Sequence, residues 1–291
     1  STAWRLCPQA IYLPVNYPLY EQASAKVMAL LKSYADRFEQ AGIDEAFLDV
    51  TNRVQGFEDA ARLAKRIQQE LLEKEGLTCS VGVAPNKLVA KIASDFQKPS
   101  GLTVVTPEAV RGFLYPLPVR KLWGVGPKTE KALQSLGIRT IGDQASFDPT
   151  ALEKAFGAWG RRLRELASGV DESPVEERGE VKSVSRETTF QEDTDDREVI
   201  LGTLDVLARQ VHRDLQASGL SYRTVSIKLR YEDFETHTHA ESLPFTTDKL
   251  EPIREKAKIL ARRFLRDKRK VRLVGVRVSA LVSGHGQKTL A

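Results

Sequence analysis

The sequence predicts an α+β multidomain chain. A mixed sheet with helices comes first, then an all-α segment built around a helix-hairpin-helix, then a ferredoxin-like β-α-β-β-α-β domain. Three observations carry this reading. Apolar residues recur at helical and at strand spacing in a mixed β/α order as far as residue 105. From Pro107 to about Ser168 only short helical runs broken by glycine follow. After a charged stretch, strand and helix patterns resume in a split βαβ order.

The elements follow in order. Residues 18–38 read as a helix, because Val27, Leu30, Leu31 and Tyr34 recur at three- and four-residue spacing. Ile43, Phe47 and Val50 suggest a strand over 43–50. Residues 57–75 read as a second helix with Ala61, Ala64, Ile67 and Leu71 on one face and Gly76 as its stop. Thr78–Val83 is a short strand, Asn86–Phe96 a third helix, and Leu102–Val105 a strand. Residues 169–182 hold many charges and no apolar period, the signature of a linker. Beyond it come a strand (183–190), a helix (196–217), two strands (222–231 and 235–243), a helix (248–266) and a last strand (271–282).

Composition narrows the function classes. A chain of 291 residues is too long for one small core. No window approaches the roughly 20 apolar residues of a membrane helix, and no signal peptide opens the chain. The two cysteines, Cys7 and Cys79, form no C-x-x-C pair, which argues against a disulfide scaffold or a cysteine zinc site and for a reducing cytoplasm. Residues 178–291 carry 22 of the 44 Lys+Arg but 17 of the 39 Asp+Glu, so the whole net charge of +5 belongs to the C-terminal part. Such an excess hints at a polyanionic partner there. Residue 1 is serine and the sole methionine is Met28, so the chain does not begin where translation would.

Four motifs carry candidate chemistry. Asp44-Glu45 follows Gly42, whose freedom permits a bend, and precedes apolar Ala46-Phe47-Leu48. In a regular strand two neighbouring carboxylates point to opposite faces; at a bend they reach one hard cation, Mg²⁺ or Mn²⁺. A random Asp-Glu pair would be a solvated turn, but this one borders buried structure. Gly124-Val125-Gly126, ahead of a helix near Lys128, lets a phosphate approach backbone N–H groups, with Lys131 adding charge. The plain alternative is an αα turn. It is not a dinucleotide fingerprint, because no G-x-G-x-x-G follows a strand. Lys98, in the turn Lys98-Pro99-Ser100-Gly101, can reach a triphosphate as a point charge, although most surface lysines are merely solvated. On the C-terminal strands, Thr224, Ser226, Lys228 and Arg230 alternate with apolar residues, as do Arg277 and Ser279. Arg186 joins this polar face, which can follow a duplex backbone. His212, His237, His239 and His285 show no metal spacing beyond His237-x-His239, which reads as surface, and no nucleophile triad is legible.

Taken together, these motifs resemble the Y-family translesion DNA polymerases of the DNA polymerase IV (DinB) type. The resemblance spans the chain and rests on Leu6-Cys7-Pro8-Gln9-Ala10, Gly42-Ile43-Asp44-Glu45-Ala46-Phe47-Leu48-Asp49, Ser80–Lys87, Lys98–Gly101, the Gly124/Gly126 hairpin and Arg272–Arg277. It implies a palm over residues 1–105, a thumb over 106–170, a linker over 171–182, and a little finger over 183–284, with a tail over 285–291. It also implies nucleotidyl transfer to a primer 3′-hydroxyl with two Mg²⁺ ions (Mn²⁺ possible), Asp44 and Glu45 being the metal ligands and Lys98 the triphosphate contact. DNA contacts then fall to Lys87, Gly124, Gly126, Lys128, Arg186, Lys228, Arg230, Arg272 and Arg277. The implied partners are primer-template DNA and deoxynucleoside triphosphates, with the protein acting as a monomer away from membranes. Gly286–Leu290 looks like the opening of a sliding-clamp peptide without its aromatic anchors; an ordinary tail is the alternative.

The chain departs from the family pattern in two ways. The family usually has serine where Gly42 stands. The first palm strand, with its further metal-binding Asp, and the fingers domain have no counterpart here, so the expectation is that residues 1–291 alone do not polymerise; primer extension by this stretch would overturn it. Two other readings compete. One is a non-catalytic DNA-binding protein on the same fold. The other is a related nucleotidyltransferase, which the hairpin and little finger together argue against.

Overall fold

The computed structural model describes residues 2–177, 179–265 and 269–283. The chain forms two compact units, Ser1–Arg178 and Gly179–Ala291.

In the first unit a short helix α1 (Thr2–Leu6) leads to α2 (Tyr17–Ser33), capped by Asn16, whose side chain accepts the Leu19 amide at 3.2 Å. The expected helix over 18–38 therefore stops about five residues early. Tyr34 caps its end, and residues 37–40 form a strand instead. The cause is tertiary. The Asp36 amide donates to the Asp49 carbonyl at 2.7 Å, and the Asp36 carboxylate accepts the Asn52 amide and Arg53 Nε, both at 2.9 Å. Strand β1 (Arg37–Gln40) then pairs antiparallel with β2 (Ala46–Asp49), Glu39 opposite Phe47. Helix α3 (Phe57–Glu75) buries Ala60, Ala64, Ile67 and Leu71 and ends at left-handed Gly76, with φ 66°. The buried alanine of its first turn is thus Ala60 rather than Ala61.

Strand β3 (Val81–Val83), helix α4 (Lys87–Ser94) and strand β4 (Leu102–Val104) make a parallel βαβ unit. Gly82 permits its tightness: a Cβ there would stand 2.1 Å from the Ala90 carbonyl oxygen. The mixed β character is thus held as two separate two-stranded ladders. Five helices complete the unit: α5 (Val110–Leu114), α6 (Pro127–Ser135), α7 (Ile141–Ser146), α8 (Pro149–Phe156) and α9 (Ala158–Ala167). Leu88, Val89, Ile92 and Ala93 of α4 share one core with Leu114, Leu122, Leu133, Ile141, Leu152 and Leu163. The expected boundary at 105/106 therefore falls inside a continuous core. The expected linker also begins later than its composition suggests, since residues as far as Glu177 bond back to this unit.

The second unit runs β5 (Ser183–Thr194), α10 (Arg197–Ala217), β6 (Leu220–Tyr231), β7 (Thr236–Thr247), α11 (Glu251–Arg262), β8 (Val271–Ser279) and a short β9 (Val282–Ser283). This is the expected β-α-β-β-α-β order. The main strands lie in the order β5-β8-β6-β7, each antiparallel to its neighbour. Each helical crossover thus joins two parallel strands that bracket an antiparallel one. Ile200, Leu204, Leu207, Val211 and Leu215 of α10 and Ile253, Ala257 and Leu260 of α11 pack on Val225, Ile227, Leu229, Val274, Val276 and Val278. The alternation of period two leaves the opposite sheet face to polar side chains.

Candidate nucleotidyl-transfer site and nucleic-acid interface

Asp44 and Glu45 sit in the turn that joins β1 to β2. The Glu45 carbonyl closes this turn by accepting the Ala41 amide at 2.9 Å and the Gly42 amide at 3.1 Å. The buried anchor beneath it is Ser24 of α2, whose hydroxyl donates to the Ile43 carbonyl. The expected bend is therefore real, and it frees both carboxylates from the alternation of a strand. The Asp44 carboxylate is exposed and has no hydrogen bond or ion pair among the described residues. Glu45 Oε1 lies 2.5 Å from Lys91 Nζ.

That ion pair opens a chain of charges. Lys91 Nζ is 3.5 Å from Asp95 Oδ2, and Asp95 Oδ1 is 2.6 Å from Lys98 Nζ. Burial pushes the Asp95 carboxyl up, but the Lys98 hydrogen bond and the Lys91 charge outweigh it and leave its pKa lowered. Burial works against the Lys91 ammonium, yet its bonds to Glu45 and Asp95 prevail and raise its pKa. Helix α4 supplies Lys91 and ends in the turn that carries Lys98, so one element spaces the carboxylate pair from Lys98.

The donor set suits a hard divalent cation in kind, being carboxylate oxygen on a solvent-open turn. Among the described residues no group of three or more His, Cys, Asp or Glu side chains converges, so a cation here needs water or substrate oxygens to complete its shell.

Lys87 corrects the sequence reading. Its ammonium side chain is only 10% exposed, lies 2.7 Å from Glu39 Oε2 and stands 5.6 Å from the Phe47 ring centroid. It braces β1 and β2 rather than facing a nucleic acid.

The hairpin of the helical segment is built as expected, except that a single 3₁₀ turn, Val119–Lys121, replaces its leading helix. Gly124 has φ +91°, which only glycine adopts without strain, and a Cβ there would lie 3.1 Å from Trp159. Leu122 and Val125 bury the loop's apolar side. Gly126 caps α6 with extended backbone and no side-chain cap, which leaves the first-turn N–H groups pointing outward beside exposed Lys128. Trp123 packs against Phe47 with ring centroids 5.8 Å apart, tying the hairpin to the strand behind Glu45. Trp123, Trp159 and the Lys91–Glu45 pair escape a sequence reading because the partners lie far along the chain, whereas Asp95 meets Lys91 and Lys98 at spacings of four and three residues.

In the second unit the polar sheet face carries Ser185, Arg277 and Ser226 in one cross-strand row and Glu187, Gly275 and Lys228 in the next. Lys228 Nζ bonds Glu187 Oε2 at 2.8 Å across Gly275, where a Cβ would stand 3.0 Å from that of Glu187. Arg230 Nε donates to Thr236 Oγ1 at 2.8 Å. Arg277 is exposed and has no ion pair among the described residues. Arg186 does not join this face. It pairs in register with Val276, so it points toward the helices, and its Nε lies 2.6 Å from Asp214 Oδ2 of α10. Arg272 is held by Asp193 at 3.3 Å and stacks over the Phe234 ring at 5.0 Å. His237 packs on Tyr231 and Phe264, at 5.7 and 5.1 Å between centroids, rather than lying free on the surface. His285 and the tail Gly286–Leu290 lie outside the described residues. No helix among the described residues is long and apolar enough to cross a membrane.

Comparison with known proteins agrees with this arrangement. The impB/mucB/samB family matches residues 1–95, its C-terminal domain matches residues 181–290, and the IMS family HHH motif matches residues 107–138. The chain is 45% identical over 290 residues to DNA polymerase IV 2 of Methanosarcina mazei, covering all of this chain and 78% of that relative. A solved Y-family DNA polymerase chimera of Dbh and Dpo4 superposes with a TM-score of 0.88 at 36% identity, over 97% of this chain and 81% of that one. An insertion ternary complex of Dbh DNA polymerase gives 0.61 at 36% identity, over 96% and 80%. By its identity to these relatives and its match to the family models over most of its length, the chain belongs to the Y-family DNA polymerases of the DNA polymerase IV (DinB) type.

Proposed function

We propose that this protein is a template-directed translesion DNA polymerase, transferring deoxynucleotides to a primer 3′-hydroxyl in DNA damage tolerance. The observation that carries the reading is the turn at Asp44-Glu45, linked through Lys91 and Asp95 to Lys98. Asp44 offers an unencumbered carboxylate, and Glu45 a carboxylate oriented by Lys91. Two divalent ions, Mg²⁺ or Mn²⁺, when bound at such a site lower the pKa of an attacking hydroxyl and stabilise a leaving pyrophosphate. Lys98 sits one helical turn from Asp95 and meets the triphosphate as a point charge. The N-terminus of α6 with Lys128 grips a backbone phosphate without reading sequence. Arg277, Lys228 and Arg230, on a face otherwise rich in Ser, Thr and Gly, lie against the duplex backbone.

Solved relatives include ternary complexes, which supports primer-template DNA and deoxynucleoside triphosphates as partners. The same reading takes the protein as a monomer of the cytoplasm.

Primer extension by the full-length gene product beside its Asp44→Ala variant tests this. The variant should lose on the order of 10³-fold in turnover, the several kcal/mol a bound metal contributes, with DNA affinity changed less than about twofold. Equal extension by both proteins would sink the metal role. DNA binding without extension by either would favour the non-catalytic alternative.

A further inference from the structure

Residues 171–177 have the composition of a linker, but they are fastened to the first unit at one buried carboxylate. The Asp171 side chain is 3% exposed. Its Oδ1 accepts Arg162 Nη2 at 2.7 Å, the Ser173 hydroxyl at 2.8 Å and the Ser173 amide at 3.3 Å. Its Oδ2 accepts the Leu88 amide, in the first turn of α4, at 3.3 Å. Beside it Asn86 Nδ2 donates to the Gly169 carbonyl at 2.8 Å. Farther along, the Glu176 amide donates to Glu39 Oε2 at 3.3 Å, and Glu177 pairs with Lys32.

Among residues 172–177 only Val175 is half-buried; the rest are exposed. Apolar burial therefore does not hold this segment down. Exposed contacts such as Lys32–Glu177 are too weak to hold the segment down by themselves, because water and salt compete for them, and they add only once it is anchored nearby. A buried carboxylate holding an arginine, a hydroxyl and two amides is different: removing it strands those donors away from water.

We propose that Asp171 is a positioning residue that straps residues 171–177 onto the first unit. The segment that links the two units is then the five residues 178–182, between the last tie at Glu177 and the start of β5 at Ser183. Without the strap it would be the twelve residues 171–182. The consequence rests on the proposed reading that both units grip one DNA. The effective concentration of one unit near the other's DNA falls with about the −3/2 power of tether length, so going from five to twelve residues costs roughly fourfold in affinity.

The test compares Asp171→Ala and Asp171→Asn with the native protein. Asn keeps the shape but cannot neutralise Arg162, and it serves where the Ala variant folds poorly. Without DNA, the Ser173 and Glu176 amides should exchange hydrogen about tenfold faster or more in the variants; unchanged protection overturns the strap. With DNA, the dissociation constant should rise roughly fourfold. Inserting seven Gly/Ser residues between Glu180 and Val181 should likewise cost the native protein about fourfold, but the Asp171 variants only about twofold. An equal loss in both backgrounds overturns the proposal. Absence of DNA binding by the native protein would sink the DNA reading instead, and the exchange measurement would still decide the strap.

Discussion

The two units present their candidate chemistry in opposite ways. In the first, each group stands at a turn or a helix end: Asp44 and Glu45 between β1 and β2, Lys98 after α4, Gly124 and Gly126 before α6. In the second, Arg277, Lys228 and Arg230 are spread over a regular sheet face. A turn has one geometry that works, fixed by a few residues, so single substitutions there should be costly. A sheet face adds many small contacts, so each should matter little by itself. Gly124 gives the sharpest contrast. Gly124→Ala forces an L-residue to φ +91° and drives its Cβ to 3.1 Å from Trp159, while Gly126, with φ −87° and open space around it, accepts alanine. Thermal unfolding should show a loss of about 1–3 kcal/mol for Gly124→Ala and under about 0.5 kcal/mol for Gly126→Ala. Equal losses at the two positions would mean that neither the positive φ nor the Trp159 ring constrains this turn.

A smaller effect is expected on the sheet face, where it can be read in salt dependence. Each neutralised phosphate contributes a slope of about 0.9 in log affinity against log salt. Arg277→Ala should lower that slope by about one on every DNA sequence. Arg186→Ala should leave it unchanged, because Arg186 points to the helix side and pairs with Asp214. Equal slopes for the two variants would mean that the face is not the DNA contact.

The same contrast explains what the sequence discloses. Period-two alternation identified the strands of the second unit and the polarity of Lys228, Arg230 and Arg277, because a face is a repeated local property. It failed for Arg186, where reading a basic residue as face-borne ignores that residue's register against Val276. In the first unit the bend at Asp44-Glu45 was legible from Gly42, and the hairpin at Gly124-Val125-Gly126 from its glycines. The early end of α2 was not, since Asp36 is held by partners at Asp49, Asn52 and Arg53. Lys87 looked like a surface cation, and only the fold brings Glu39 to it. Asp171 did leave a local trace: Asp-x-Ser is the sequence of a side-chain-to-backbone turn, and that turn forms. What it also caps, the first turn of α4, lies 83 residues away.

Carboxylates sharpen the comparison last and most gently. Asp95 of the first unit serves two lysines beside the candidate site, whereas Asp205 of the second lies between α10 and α11 and meets only structural partners: Arg254 at 2.6 Å, Arg209 at 3.0 Å and Lys258 at 3.2 Å. The Arg254 hydrogen bond leads in holding the Asp205 carboxyl down at about 2 against some opposition from burial, with Arg209 and Lys258 assisting. A depressed folded-state pKa stabilises the fold above the ordinary carboxylate range, and the stabilisation is lost as pH falls through the folded value. Asp205→Asn should therefore weaken the α10–α11 packing modestly near neutral pH and flatten its loss between about pH 5 and 2. Hydrogen exchange of the two helices against pH reads this directly. An unchanged acid slope would mean that the three cations solvate Asp205 no better than water does, and that the helix pair is held by its apolar core alone.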